Sequence, residues 1–129
     1  MSRRPQATPT EVELEILQVL WDHGPCTVRQ AVDVLNTARP RAYTSILSMM
    51  NVMLEKDLVS RERSGRAHVY RALDRQSATL GGMVKDLLGR AFDGSASSLI
   101  NHVLDQSEPT KEEIEKIQQL LNKYREDQS

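Results

Sequence analysis

What most constrains this chain is the order of its patterns. Three short helical periodicities, two of them opened by the same start signal, run directly into two strand patterns joined by a glycine turn. Thr10-Glu11-Val12-Glu13 fits a capping box, in which a threonine hydroxyl and a glutamate satisfy each other's free amides at a helix start. Val12, Ile16, Leu17, Val19, Leu20 and Trp21 follow at helical spacing, and Gly24-Pro25 stops the run. Thr27-Val28-Arg29-Gln30 repeats the box before Val28, Ala31, Val32 and Leu35, and Asn36 closes that face. Arg39-Pro40 keeps the backbone extended. A third helix is predicted from about Arg41 to Lys56, with Tyr43, Ile46, Leu47, Met50, Met53 and Leu54 turned inward and Asp57 at a left-handed C-cap. Strands are predicted over Val59–Arg63 and Ala67–Leu73, with Ser64-Gly65-Arg66 as the turn.

Three helices and a two-stranded hairpin in that order spell a winged helix-turn-helix over residues 10–73. Residues 1–9 lack periodicity and are predicted to be a flexible arm. Residues 74–129 return to helix. Gln76 to about Arg90 is weakened by Gly81-Gly82, Asp93-Gly94 breaks it, and Ser95 or Ser97 caps a short helix. Pro109-Thr110 with Glu113 opens the last one. These amphipathic stripes include Leu87, then Leu99, Ile100, Val103 and Leu104, then Ile114, Ile117 and Leu121. Three such helices cannot cover their stripes alone, so a second copy of the chain is the expected cover and these residues the dimerisation set. The fold class is therefore mainly α with a small β-hairpin: a winged helix-turn-helix plus a C-terminal helical dimerisation region. A thin core in 129 residues with only 4% aromatics argues the same way.

Charge points to the partner. The whole chain has a net charge of −1, but residues 39–71 hold seven Lys or Arg against three acids. A basic segment on a nearly neutral protein suits a local polyanion contact. Within it, Thr44, Ser48 and Asn51 lie at i, i+4 and i+7, opposite the apolar side, with Ser45 and Arg41 flanking. Small hydrogen-bonding side chains on such a helix approach base edges and phosphates closely, and Asn pairs two-pronged with adenine. The competing reading is an ordinary solvated face. Arg61, Arg63, Arg66 and Arg71 surround the hairpin turn, where planar guanidinium forks match phosphate oxygens. They equally suit a hairpin whose charges guard an exposed edge strand. Arg63 and Arg66 are assigned to DNA; Arg61 and Arg71 are as well suited to ion pairs with Glu55 or Glu62.

Nothing in the pattern supports catalysis. His23, His68 and His102 are scattered, without ligand-like spacing, and no nucleophile–base pair or phosphate-cradling loop is present. No metal and no cofactor are expected, and an enzyme is not. Cys26 precedes a helix N-cap, where a thiolate would be stabilised, but its isolation favours a structural role. No run approaches the roughly 18 apolar residues of a membrane span, and no signal peptide is recognisable, so a cytoplasmic protein without membrane insertion is expected. The expected function is sequence-specific DNA binding. The alternative is a winged-helix module that binds protein and not DNA.

Residues 13–36 (ELEILQVLWDHGPCTVRQAVDVLN), 41–59 (RAYTSILSMMNVMLEKDLV) and 65–71 (GRAHVYR) together resemble the penicillinase-repressor (BlaI/MecI/CopY) family of winged-helix regulators. The resemblance extends more weakly through the C-terminal helices. It implies a homodimer on a two-fold double-stranded DNA operator, with Tyr43, Thr44, Ser45 and Ser48 contacting operator from the third helix and Arg66 from the wing. For family members of the resistance type it implies further that the dimer is inactivated, through a membrane-linked sensor protease system, by cutting after an Asn followed by Phe. Here Asn101-His102 stands at that place, with His for Phe. The chain also departs from the family at Val52, where Arg is frequent, and at Asp57, where Gly is usual. The copper-responsive branch carries C-terminal cysteine motifs that this chain lacks.

Overall fold

A computed structural model describes residues 8–128; most of the predicted N-terminal arm, residues 1–7, lies outside the described residues. The chain divides into a compact unit ending at Asp86 and a second beginning at Leu87.

In the first unit, α1 (Glu11–His23) opens with the expected capping box. The Glu13 amide donates to Thr10 Oγ1 at 3.3 Å and the Thr10 amide to Glu13 Oε1 at 2.8 Å. Gly24, at φ +82°, ends it in a conformation that side chains resist. The second box opens α2 (Val28–Leu35): the Gln30 amide donates to Thr27 Oγ1, and the Thr27 amide to Gln30 Oε1. α3 runs Tyr43–Glu55, starting two residues later than its periodicity suggests. The Arg41 amide is taken by Asn36 Oδ1 at 2.7 Å, so residues 41 and 42 stay outside the helix. At the other end Asp57 adopts φ +61°, and the Leu58 amide reaches back to the Met53 carbonyl at 2.9 Å. That is the left-handed cap predicted there, made by Asp where Gly would be easier.

The hairpin pairs β1 (Val59–Ser64) with β2 (Ala67–Ala72), from Ser64 opposite Ala67 to Val59 opposite Ala72. Gly65, at φ +63°, supplies the positive dihedral that a two-residue loop requires. Ile16, Leu17, Ala31, Val32, Ile46, Met50, Met53 and Val59 form one buried cluster, closed by Tyr70 from β2. Tyr70 also exchanges both main-chain hydrogen bonds with Cys26, fastening the hairpin to the α1–α2 connection. One inward residue differs from expectation: Tyr43 is 37% exposed. It is the first residue of α3, beyond the reach of the core, and the Arg29 guanidinium lies 4.6 Å from its ring centre.

α4 (Gln76–Ala91) is continuous through Gly81-Gly82. Its start is tied to the winged helix: Trp21 Nε1 donates at 3.0 Å to the carbonyl of Asp74, two residues before it, and Gln76 Nε2 donates to Gln18 Oε1 at 3.1 Å. The compact unit thus runs past the boundary expected near residue 73. In the second unit, Ser95 caps α5 (Ala96–Ser107) and Thr110 caps α6 (Lys111–Gln128). No side chain of α4, α5 or α6 is fully buried.

Candidate nucleic-acid interface

α3 turns Ile46, Met50 and Met53 into the core, so its helical period leaves Thr44, Ser45, Ser48, Asn51 and Val52 exposed. Two carboxylates of α1 hold this helix at both ends. Glu13, 1% exposed, accepts from Lys56 Nζ at 2.9 Å just past the C-terminus of α3. Glu15 accepts from Arg41 just before its N-terminus, and from Arg39 at 3.4 Å. Burial pushes the Glu13 carboxyl up, but the Thr10 amide and the Lys56 ammonium outweigh it and hold it below its ordinary value. The hydrogen bond from Arg41 holds Glu15 below its ordinary value against a smaller effect of burial.

Arg41, expected on the DNA side, differs. Its side chain is 8% exposed and turned onto Glu15, so it braces α1 against the start of α3. Asn51 is exposed as expected, yet its side-chain oxygen accepts from Arg61 Nη1 at 3.1 Å and from the Tyr70 hydroxyl at 3.3 Å. Arg61 therefore takes neither Glu55 nor Glu62, while Arg71 pairs with Glu62 at 3.7 Å. In the wing tip Arg63 and Arg66 are exposed, and Arg63 Nε donates to the Gly65 carbonyl at 3.1 Å across the turn.

A groove of about 210 Å3 lies between the start of α2, the start of α3 and the wing, beside the exposed row of α3 and not on it. It is lined by Thr27, Val28 and Arg29 of the α2 start, Tyr43 and Leu47 of α3, and Arg66, Ala67, His68 and Tyr70 of the wing. The start of α3 and the hairpin therefore open onto one surface. Neither α2 nor α3 carries an acid in its first turn, and neither do α4 and α5, whereas α1 and α6 each carry two. Acids there would stabilise the helix dipole, so their absence leaves the positive end of the dipole uncompensated at the starts of α2 and α3; α3 in addition has no side-chain cap, whereas the Thr27–Gln30 box already closes α2. Sequence reasoning missed Arg29, which it took only as part of a capping box. Its signal was a basic side chain at the start of a helix, where an acid is the stabilising choice.

Elsewhere the expected residues fall as follows. Leu87, Ile100, Val103, Ile114 and Leu121 are between 42 and 50% exposed, and Leu99, Leu104 and Ile117 are half-buried. Asn101 and His102 are exposed within α5, the His102 ring centre 5.1 Å from that of Phe92. Burial pushes the Cys26 thiol up, and its Sγ donates to the Gly24 carbonyl at 3.2 Å, so the helix-stabilised thiolate is not realised. No group of three or more His, Cys, Asp or Glu gathers among the described residues, and none of their helices is long and apolar enough to cross a membrane.

A helix seated between two others and an arginine-tipped hairpin opening on the same groove define a winged helix-turn-helix protein. The chain belongs to the penicillinase repressor family, whose model matches residues 9–123. It is 30% identical over 98 residues to the transcriptional regulator BlaI of Mycobacterium tuberculosis, covering 74% of this chain and 71% of that protein. It is 22% identical over 125 residues to the penicillinase repressor of Bacillus licheniformis, covering 97% and 96%. It is 18% identical to the methicillin resistance regulatory protein MecI of Mammaliicoccus sciuri, covering 88% and 93%. A solved transcriptional regulator from Thermotoga maritima shares the fold, with a TM-score of 0.53, 15% identity and coverage of 90% of this chain and 73% of that one.

Proposed function

We propose that this chain is a sequence-specific DNA-binding transcriptional repressor that acts as a homodimer on a two-fold operator. One observation carries the reading: Tyr43 of α3 and Arg66 of the wing line the same groove. A helix laid in the major groove would then bring Thr44, Ser45 and Ser48 to base edges while Arg63 and Arg66 meet the flanking backbone. Arg29 and His68, beside them, join the phosphate-facing set. The unit that ends at Asp86 supplies the contact, and the residues from Leu87 onward the self-association. The half-exposed stripes of Leu87, Ile100, Val103, Ile114 and Leu121 support that division, because apolar faces on three successive helices call for a protein cover. Two-fold symmetry places half-sites about one helical turn, roughly 10 bp, or a multiple of it apart. The protein works in the cytoplasm, without cofactor and without catalytic chemistry.

Cutting at Asn101–His102 would sever α5 and release the dimer. This peptide bond lies inside a helix, so a sensor protease would need α5 to open locally first. The decisive experiment is selection of bound duplexes from a random pool by the full chain, with molecular mass measured in parallel. Enrichment of a palindromic sequence by a dimer is expected; a monomer, or a pool left unenriched, would overturn the assignment. A chain ended at Asn101 should lose both dimer and tight binding.

A further inference from the structure

Asn51 and Tyr70 meet where the recognition helix passes the wing. We propose that Asn51 is a positioning residue that fixes the lean of the wing on α3, and that it does not read a base. The inference rests on the DNA-binding reading for its consequence but on intramolecular geometry for its cause. An amide oxygen has two lone pairs. Here one takes the Arg61 guanidinium at 3.1 Å and the other the Tyr70 hydroxyl at 3.3 Å. Two-pronged recognition of adenine needs that same oxygen to accept from the base's amino group. The acceptor is already filled.

The two donors are not independent. Arg61 and Tyr70 face each other across the hairpin, and Arg61 Nη1 also donates to the Tyr70 hydroxyl at 3.2 Å. Tyr70 is the fixed post of this triangle. It is 1% exposed, its amide donates to the Cys26 carbonyl at 2.7 Å, and its carbonyl accepts from the Cys26 amide at 3.0 Å. The hairpin is thus anchored by main chain to the α1–α2 connection and by side chains to α3. Asn51 is the α3 end of that second tether. Beyond Arg61 the strands project with nothing buried on the β1 side, so the angle at this triangle decides where Arg63 and Arg66 stand.

The test uses the full chain with Asn51→Ala, Asn51→Asp and Tyr70→Phe, read in two ways. Amide order parameters of residues 61–70 in the free protein should fall in Asn51→Ala and Tyr70→Phe. They should stay close to wild type in Asn51→Asp, which loses the amide donor and adds a negative charge but keeps an acceptor for Arg61 and Tyr70. Affinity for a duplex selected from a random pool, and for an unrelated duplex, should weaken by the same factor in Asn51→Ala, about three- to tenfold, leaving the ratio between them unchanged. A base-reading Asn51 would instead cut that ratio tenfold or more in both the Ala and Asp variants, overturning the proposal. So would a hairpin as ordered in Asn51→Ala as in wild type. If the wild-type chain enriches no duplex, the DNA reading fails, and the order parameters still decide whether Asn51 positions the wing.

Discussion

Arg66 stands at the wing tip with its guanidinium exposed and lines the groove that also holds Tyr43. A phosphate contact there is electrostatic and indifferent to sequence, so its removal has a distinct signature. Arg66→Ala should weaken binding to cognate and unrelated duplexes alike and flatten the slope of log K against log salt by about 0.9. A filter-binding salt titration that shows lost affinity with the slope intact would remove Arg66 from the phosphate set. Thr44→Ala or Ser48→Ala should behave oppositely, costing about 1–3 kcal/mol on the selected duplex and little on others. Equal losses on both duplexes would count against base contact. The exposed row of α3 was legible in the sequence because helical spacing alone separates Thr44 and Ser48 from Ile46 and Met50. The fate of Arg41 was not legible, since its partner Glu15 is 26 residues away on another helix. Nor was that of Asn51, whose oxygen is claimed from both strands of a hairpin that the sequence places nearby without setting its angle.

At the scale of elements, α1 is both core and clamp. Two of its carboxylates hold the ends of α3, and the same Glu13 that completes the Thr10 capping box binds Lys56. The box was readable from four adjacent residues; the ion pair needed the fold. Both Glu13 and Glu15 have folded-state pKa values below the ordinary 4.5. Their contribution is therefore fully present above the unfolded value and is lost as pH falls through the lower folded values. Urea unfolding midpoints should drop steeply across that acid window in the wild type and less steeply in Glu13→Gln. At neutral pH, Glu13→Gln should cost about 1–3 kcal/mol, because Lys56 is left half-exposed and can recover water while the capping bond weakens. An unchanged acid profile in Glu13→Gln would show that Glu13 is not responsible for the sensitivity.

For the molecule as a whole, the physical question is why a winged helix should need the rest of the chain. One recognition helix and one wing make a small contact, and most of its affinity comes from a few phosphates that salt screens. Joining two such contacts turns the second into an intramolecular event, raising apparent affinity by about 10²–10⁴-fold with no new DNA contact. Residues 87–128 suit that joining role, because α5 and α6 are long and well capped and leave Val103 and Leu121 half-exposed. Their periodicity was plain in the sequence, but stripe spacing gives a face and not what covers it. Val103→Asp and Leu121→Asp each place a charge on that face, where burial against a second copy would be costly. Each should shift the chain toward monomer in sedimentation equilibrium and lower affinity for a palindromic duplex by about 10²-fold or more, while affinity for a single half-site stays the same. A variant that sediments as a monomer yet binds the palindrome at full strength would mean that tethering is not the source of tight binding, and the contact surface of the winged helix would have to account for all of it.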